Sequence, residues 1–161
     1  MISYVSGFAP SFLFRNDMPA NYDKIGAGFL YPDNWQVVEE DLNGEPETVT
    51  LQSPTSGFWS LSRYGNEVAA VDLVDEAVAT MRGEYDDIET GLLHEEFGGH
   101  ESIGVEMRFY CLDLLVVSEI RGIVIDKATH LLFCQAEDRE FEELDLIFRA
   151  VTTSLLSRSE G

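Results

Sequence analysis

The sequence predicts an α+β protein in which a central antiparallel β-sheet of about six to eight strands, ending in a long C-terminal meander, is flanked by two helices. Three observations carry this expectation. Apolar and polar residues alternate with the period of a half-buried strand through much of Ile103 to Glu137. Apolar residues recur at steps of three and four in two other segments, about 67–82 and 138–157, which is the period of a helix with one buried stripe. Turn-forming residues, among them Asn43-Gly44 and Pro54 to Gly57, punctuate the stretch before the first of these helices.

Residues 1–21 contain Ile2, Tyr4, Val5, Phe8, Phe12, Leu13 and Phe14 without a clean period, and leave an edge strand, a docking arm and a leader all open. A short apolar run from Ile25 to Tyr31 stops at Pro32, whose ring fixes φ and removes a donor. Trp35, Val37 and Glu39 then alternate into a second strand, and Thr48 to Leu51 resume β-favouring residues beyond the Asn43-Gly44 turn. Phe58 to Tyr64 alternates as a fourth strand that Gly65 ends. Asn66 is placed as an N-cap, Val71, Val74, Val78 and Met81 as one helical stripe, and Gly83 as its C-terminal stop.

From Ile103 three strands follow one another, with turns at Leu112-Asp113 and around Lys127. The middle one, Leu114 to Ile125, is apolar on both faces at its ends, as expected where helices cover both sides of a sheet. Asp138 caps a last helix whose Phe141, Leu144, Phe148, Val151 and Leu155 form a stripe that must bury against the sheet. Its acidic start, with Glu140, Glu142 and Glu143, suits the positive end of the helix dipole.

Composition excludes more functions than it suggests. The 161 residues include 30 Asp and Glu against 10 Lys and Arg, a net charge of −20, so the surface should repel nucleic acid and anionic lipid. No segment reaches the roughly 20 apolar residues of a membrane helix, and the first fifteen residues lack a basic start, with Gly7 and Pro10 breaking their apolar run. A cytoplasmic protein without membrane insertion is therefore expected. Cys111 and Cys134 lie in separate strand-like runs without CxxC spacing, which argues for free buried thiols rather than a redox or zinc motif.

Chemistry-bearing residues concentrate at one place, Leu93-His94-Glu95-Glu96-Phe97-Gly98-Gly99-His100-Glu101. His94, Glu96 and His100 are the candidate metal ligands, but the spacing is not HExxH, and Gly98-Gly99 makes the segment a hairpin turn in a solvated loop. His130 lies in an apolar strand and reads as a satisfied structural histidine rather than a base, since no neighbouring element supplies a nucleophile. GxSxG, GxGxxG and phosphate-loop patterns do not occur, so no catalytic residue and no cofactor is expected. Two alternatives to a non-catalytic protein stand beside it: a metal-dependent enzyme using the His94–His100 loop, and a small-ligand binder with a pocket between sheet and helix lined by Trp35, Trp59, Phe109 or Phe148.

Two passages carry a family resemblance. Phe29-Leu30-Tyr31-Pro32-Asp33-Asn34-Trp35, and the meander from Phe109 to Glu137 running into the final amphipathic helix, resemble the PsbP-like superfamily over about residues 25–157. That superfamily includes the photosystem II extrinsic protein PsbP, a fungal Ran-binding import factor, bacterial DcrB-like proteins and effector-associated chaperones of type VI secretion. The resemblance implies an antiparallel sheet with the middle and C-terminal helices packed on it, and a single PsbP-like domain over 22–161 preceded by the unassigned segment 1–21. It also implies a non-catalytic protein-interaction or chaperone-like role with another protein as partner. An uncovered strand edge would also allow a homodimer.

Overall fold

The computed structural model describes residues 19–40, 44–65 and 68–159, with side chains described as far as residue 157. The chain runs through β1 (Pro19–Lys24), β2 (Ala27–Pro32), β3 (Gln36–Glu40), β4 (Glu47–Gln52), β5 (Phe58–Tyr64), α1 (Ala70–Glu84), β6 (Glu89–Phe97), β7 (His100–Cys111), β8 (Leu114–Ile125), β9 (Ala128–Glu137) and α2 (Asp138–Ser159). Among the described residues β1 and β2 form a separate two-stranded ribbon, and the other seven strands form one sheet in the order β3-β4-β5-β9-β8-β7-β6. Every pairing is antiparallel. The α+β architecture and the meander predicted from alternation are thus both present.

The sheet carries a core on each face. On the first face α2 lies against β9, β8 and β6 and also against β2, which brings the β1–β2 ribbon onto the same side. Trp59, Phe29, Leu51, Leu61, Leu132, Phe148, Val151 and Leu155 are buried there. On the second face α1 crosses β7, β8 and β9 and covers Met107, Phe109 and Ile120 with its Val74 and Met81. Burial from both sides explains why β8 is apolar on both faces at its ends, while Ser118, Glu119 and Arg121 in its middle are buried polar residues held by hydrogen bonds.

The hairpins β6–β7, β7–β8 and β8–β9 each turn on two residues with positive φ: Gly98-Gly99 (53° and 86°), Leu112-Asp113 (51° and 68°) and Asp126-Lys127 (50° and 66°). Two consecutive left-handed residues match the right-handed twist of the strands they join. Only the first pair consists of glycines.

Several expectations need correction. Ile25 is not a strand residue: at φ 48° it forms a two-residue turn with Gly26, and the strand begins at Ala27. Pro19 to Asn21, assigned by sequence to the segment 1–21, belong to β1 and pair with Pro32 to Leu30. The remainder of that segment, and the Asn66 cap and the Asn43 turn position, lie outside the described residues. The first helix runs over 70–84 rather than 67–82, and Gly83 sits inside it, with Tyr85 as its C-cap. Leu73 takes a buried place while Val71 is 45% exposed. Leu73-Ala77-Met81 and Val71-Val74-Val78-Met81 both step by three or four, so spacing alone does not decide which residues face the sheet. The largest omission is β6, since residues 94–97 are strand rather than loop.

His130 is buried but is not the fully satisfied histidine expected, and its setting makes a stability switch. It is buried on β9 directly across from Arg63, with its Nδ1 lacking a hydrogen-bond partner in the described structure. Burial, and then the Arg63 guanidinium, pull its pKa from 6.5 down to about 4. A histidine whose folded value lies below its unfolded one stabilises the fold fully above the unfolded value and loses that contribution as pH falls toward the folded one. Between pH about 6.5 and about 4 the group should therefore withdraw about 3 kcal/mol. Urea unfolding across this window should show that slope in the native chain and its loss in His130→Leu; equal slopes would refute the assignment.

Candidate functional site

The outermost strand and the helix beside it form the most distinctive surface. β6 closes one side of the sheet, and its outer edge pairs with no other strand among the described residues. Between this strand and α1 runs a groove of about 350 Å³, walled by Asp75, Val78 and Arg82 of α1, Leu92 of β6 and Val105 of β7. Arg82 Nη2 donates to Thr90 Oγ1 at 3.4 Å across one end. Leu92 is 90% exposed, and Ile103 on β7 is 44% exposed on the same sheet face. A leucine left almost wholly in water forfeits about 1.5–3 kcal/mol of burial, so an exposed leucine beside a groove marks a surface worth testing for a partner.

Strand alternation determines where the candidate metal ligands fall. His94 and Glu96 share the groove face with Leu92, whereas Phe97 and its partner across the hairpin, His100, share the opposite face. His94 Nε2 lies 3.8 Å from Glu101 Oε1, with both side chains largely in water. His94, Glu96 and His100 therefore do not converge, and no group of three or more His, Cys, Asp or Glu among the described residues is arranged to hold a metal ion. The aromatic residues assigned to a ligand pocket are divided in the same way. Trp35, Trp59 and Phe148 lie in the core under α2, Phe109 in the core under α1, and the sheet separates them.

On the inward face of the same strand stands a charged network that spacing did not reveal. Arg121 on β8 donates from Nε to Glu95 Oε1 at 2.9 Å and from Nη1 to Glu119 Oε1 at 3.0 Å. Arg149 on α2 donates to Glu95 Oε2 at 3.0 Å and to Asp145 Oδ2 at 2.9 Å. Both guanidinium groups lie over the Phe97 ring, 5.2 and 5.6 Å from its centre. Gly104 makes room for this arrangement, because a Cβ there would collide with the Ile120 carbonyl and stand 3.1 Å from Arg121 Cγ.

Burial alone would raise the Glu95 pKa, but Arg121 and then Arg149 outweigh it and hold the carboxyl below its ordinary value. Glu119 shifts the other way: burial dominates, Arg121 offsets only part of it, and the Asp145 carboxylate adds repulsion. Mechanically, Glu95 ties the outer strand to β8 and to α2 at once. The groove therefore has one wall anchored from behind by charge-assisted hydrogen bonds.

This pairing of an outward leucine with an inward glutamate is why the strand escaped the sequence reading. Burial alternates only from Leu92 to Phe97, and there Leu92 is exposed while Glu95 faces the core side, opposite to the usual pattern. A usable signal was the hairpin chemistry of Gly98-Gly99, which calls for a partner strand before it as well as after.

No family model matches the sequence, and no curated protein does. Solved structures do. Cyanobacterial PsbP (CyanoP) from Synechocystis sp. PCC 6803 superposes with a TM-score of 0.59 at 14% identity, over 84% of this chain and 90% of that one. The fold is PsbP-like. PA94 from Pseudomonas aeruginosa, a protein of unknown function, gives 0.55 at 12% identity over 85% of this chain and 95% of its own. LpqN of Mycobacterium tuberculosis, involved in cell envelope biogenesis, gives 0.54 at 13% identity over 86% and 90%. At such identities the PsbP-like likeness extends to architecture and not to activity, because one fold hosts many roles. No helix among the described residues is long and apolar enough to cross a membrane.

Proposed function

We propose that this PsbP-like protein is a non-catalytic interaction module that holds another polypeptide against the face formed by α1 and β6. The observation that carries the reading is Leu92, 90% exposed on the outermost strand beside a partly apolar groove. Large apolar side chains at the centre of a surface patch are where binding energy concentrates when a partner excludes water from them. The anchoring of Glu95 behind the strand supports the same reading, since a wall fixed in advance loses less entropy on binding. A chaperone-like role, shielding a partner's apolar segment, is one form this activity takes. Cys111 and Cys134 are free thiols, which suits a reducing compartment such as the cytoplasm.

Site-specific photo-crosslinking tests the proposal in cells. A benzophenone side chain placed at Leu92 should give discrete protein adducts, while one placed at the exposed Asp33 should give none of the same mass. Identical adduct patterns at the two positions, or none at Leu92, would end the reading.

A further inference from the structure

We infer that the occupant of the groove is an extended, basic segment of another protein, which adds to β6 as a further strand of the sheet. The inference rests on reading the α1–β6 face as the partner surface, and it specifies the partner's conformation and charge.

The conformation follows from the edge. The ladder between β6 and β7 runs unbroken from Glu89↔Arg108 to Phe97↔His100, so the outer strand is straight in register over its whole length and contains no bulge. Edge strands ordinarily carry protection against further pairing, such as proline, lysine, a bulge or a covering element. Glu89–Phe97 contains neither proline nor lysine; its protection is the negative charge of Glu89, Glu96 and the inward-facing Glu95, which repels another acidic edge but not a basic strand. An added strand would satisfy the outward backbone groups, and its alternate side chains would fall toward the groove beside Val78, Leu92 and Val105.

The charge follows from what surrounds the edge. Asp75 lines the groove, and Glu89, Glu96 and Glu101 are exposed along the hairpin that bounds it. Arg82 is the basic residue of the lining, and its guanidinium is already engaged with Thr90. A guest carrying lysine or arginine between apolar residues meets complementary charge, whereas an acidic guest is repelled. A second copy of this chain, itself of net charge −20, would bring the same acidic edge to the contact. Electrostatics therefore disfavour edge-to-edge self-pairing and favour a basic partner.

A display library of short random peptides, selected against the full chain, tests both features. Selected peptides should alternate lysine or arginine with apolar residues, and their binding should weaken with salt. Amide hydrogen exchange should show new protection at β6. Methylating alternate backbone nitrogens on the pairing edge of a selected peptide should weaken it by about tenfold or more, as expected from lost backbone hydrogen bonds. Asp75→Lys combined with Glu96→Lys should weaken it while leaving thermal unfolding unchanged. Acidic consensus peptides, peptides that bind as helices, unchanged β6 exchange or an empty selection would each overturn the inference. So would light scattering that shows a dimer disrupted by Leu92→Asp, since a second copy would then fill the edge. Discrete crosslinks at Leu92 together with a helical or acidic consensus would overturn the strand-addition inference and leave the broader interaction role standing.

Discussion

Arg121→Met should destabilise the fold by about 3–5 kcal/mol at neutral pH, the cost typical of removing one partner from a buried ion pair. The arginine is 5% exposed and Glu119 beside it 6%, so neither charge recovers its hydration when the other is removed. Two carboxylates, Glu95 and Glu119, lose their shared donor at once. The pH dependence has a definite sign. Glu95 is held below its ordinary value, so the stability it contributes is present above the unfolded pKa and lost as pH falls through the folded one. Glu119 is held above its ordinary value, so its ionised form costs stability near neutrality and that cost is relieved as it takes a proton. Arg121 opposes the effect of burial on both carboxylates, so removing it raises the cost of ionising each; protonation relieves that added cost, and the variant's deficit is largest near pH 7 and smaller toward pH 5. Denaturant unfolding at the two pH values measures it, and a deficit below about 1 kcal/mol at pH 7 would show that the network is dispensable.

Trp59→Ala should cost about 3–5 kcal/mol as well, by a different mechanism, because the side chain that it removes is fully buried and the cavity can close only in part. Trp59 on β5 sits where three elements meet. Its ring packs 4.8 Å from that of Phe29 on β2, and its Nε1 donates to Thr152 Oγ1 on α2 at 3.0 Å. Losing it should loosen the β1–β2 ribbon ahead of the sheet, which hydrogen exchange at Tyr22 and Phe29 would register. Trp59→Phe keeps a ring and should recover much of the loss, leaving the cost of the missing N–H and the smaller volume. An alanine variant as stable as the native chain would contradict this account of the core.

The sequence revealed the architecture more clearly than the surface, and the reason is physical. Of the stripe Phe141, Leu144, Phe148, Val151 and Leu155, all but the half-buried Leu144 are buried as the spacing requires, and Leu132 and Cys134 share the face opposite Leu131 and Phe133 as their alternation requires. Burial in a core demands a regular apolar period, and a regular period can be read. Binding surfaces and buried charges obey no such rule. Leu92 and Glu95 each sit on the side of β6 where the period would put the other kind of residue, and so the strand read as a solvated loop. Glu95, Arg121 and Arg149 come from β6, β8 and α2, and only the folded register brings them within hydrogen-bond distance. Ile25 was misplaced for a related reason, since turn geometry rather than hydrophobicity decides its position.

The pairing of β5 with β9, in which Trp59 lies opposite Cys134, has a consequence for how the chain is made. The ribosome releases β3, β4 and β5 long before it has synthesised the strand that completes their sheet, and α2, which seals them, follows that strand. Until then these early strands can gain no more than local hairpin stability, since loop closure must precede long-range pairing. The nascent chain therefore emerges with its largest aromatic residues uncovered, and folding completes only after the C-terminal helix has left the exit tunnel.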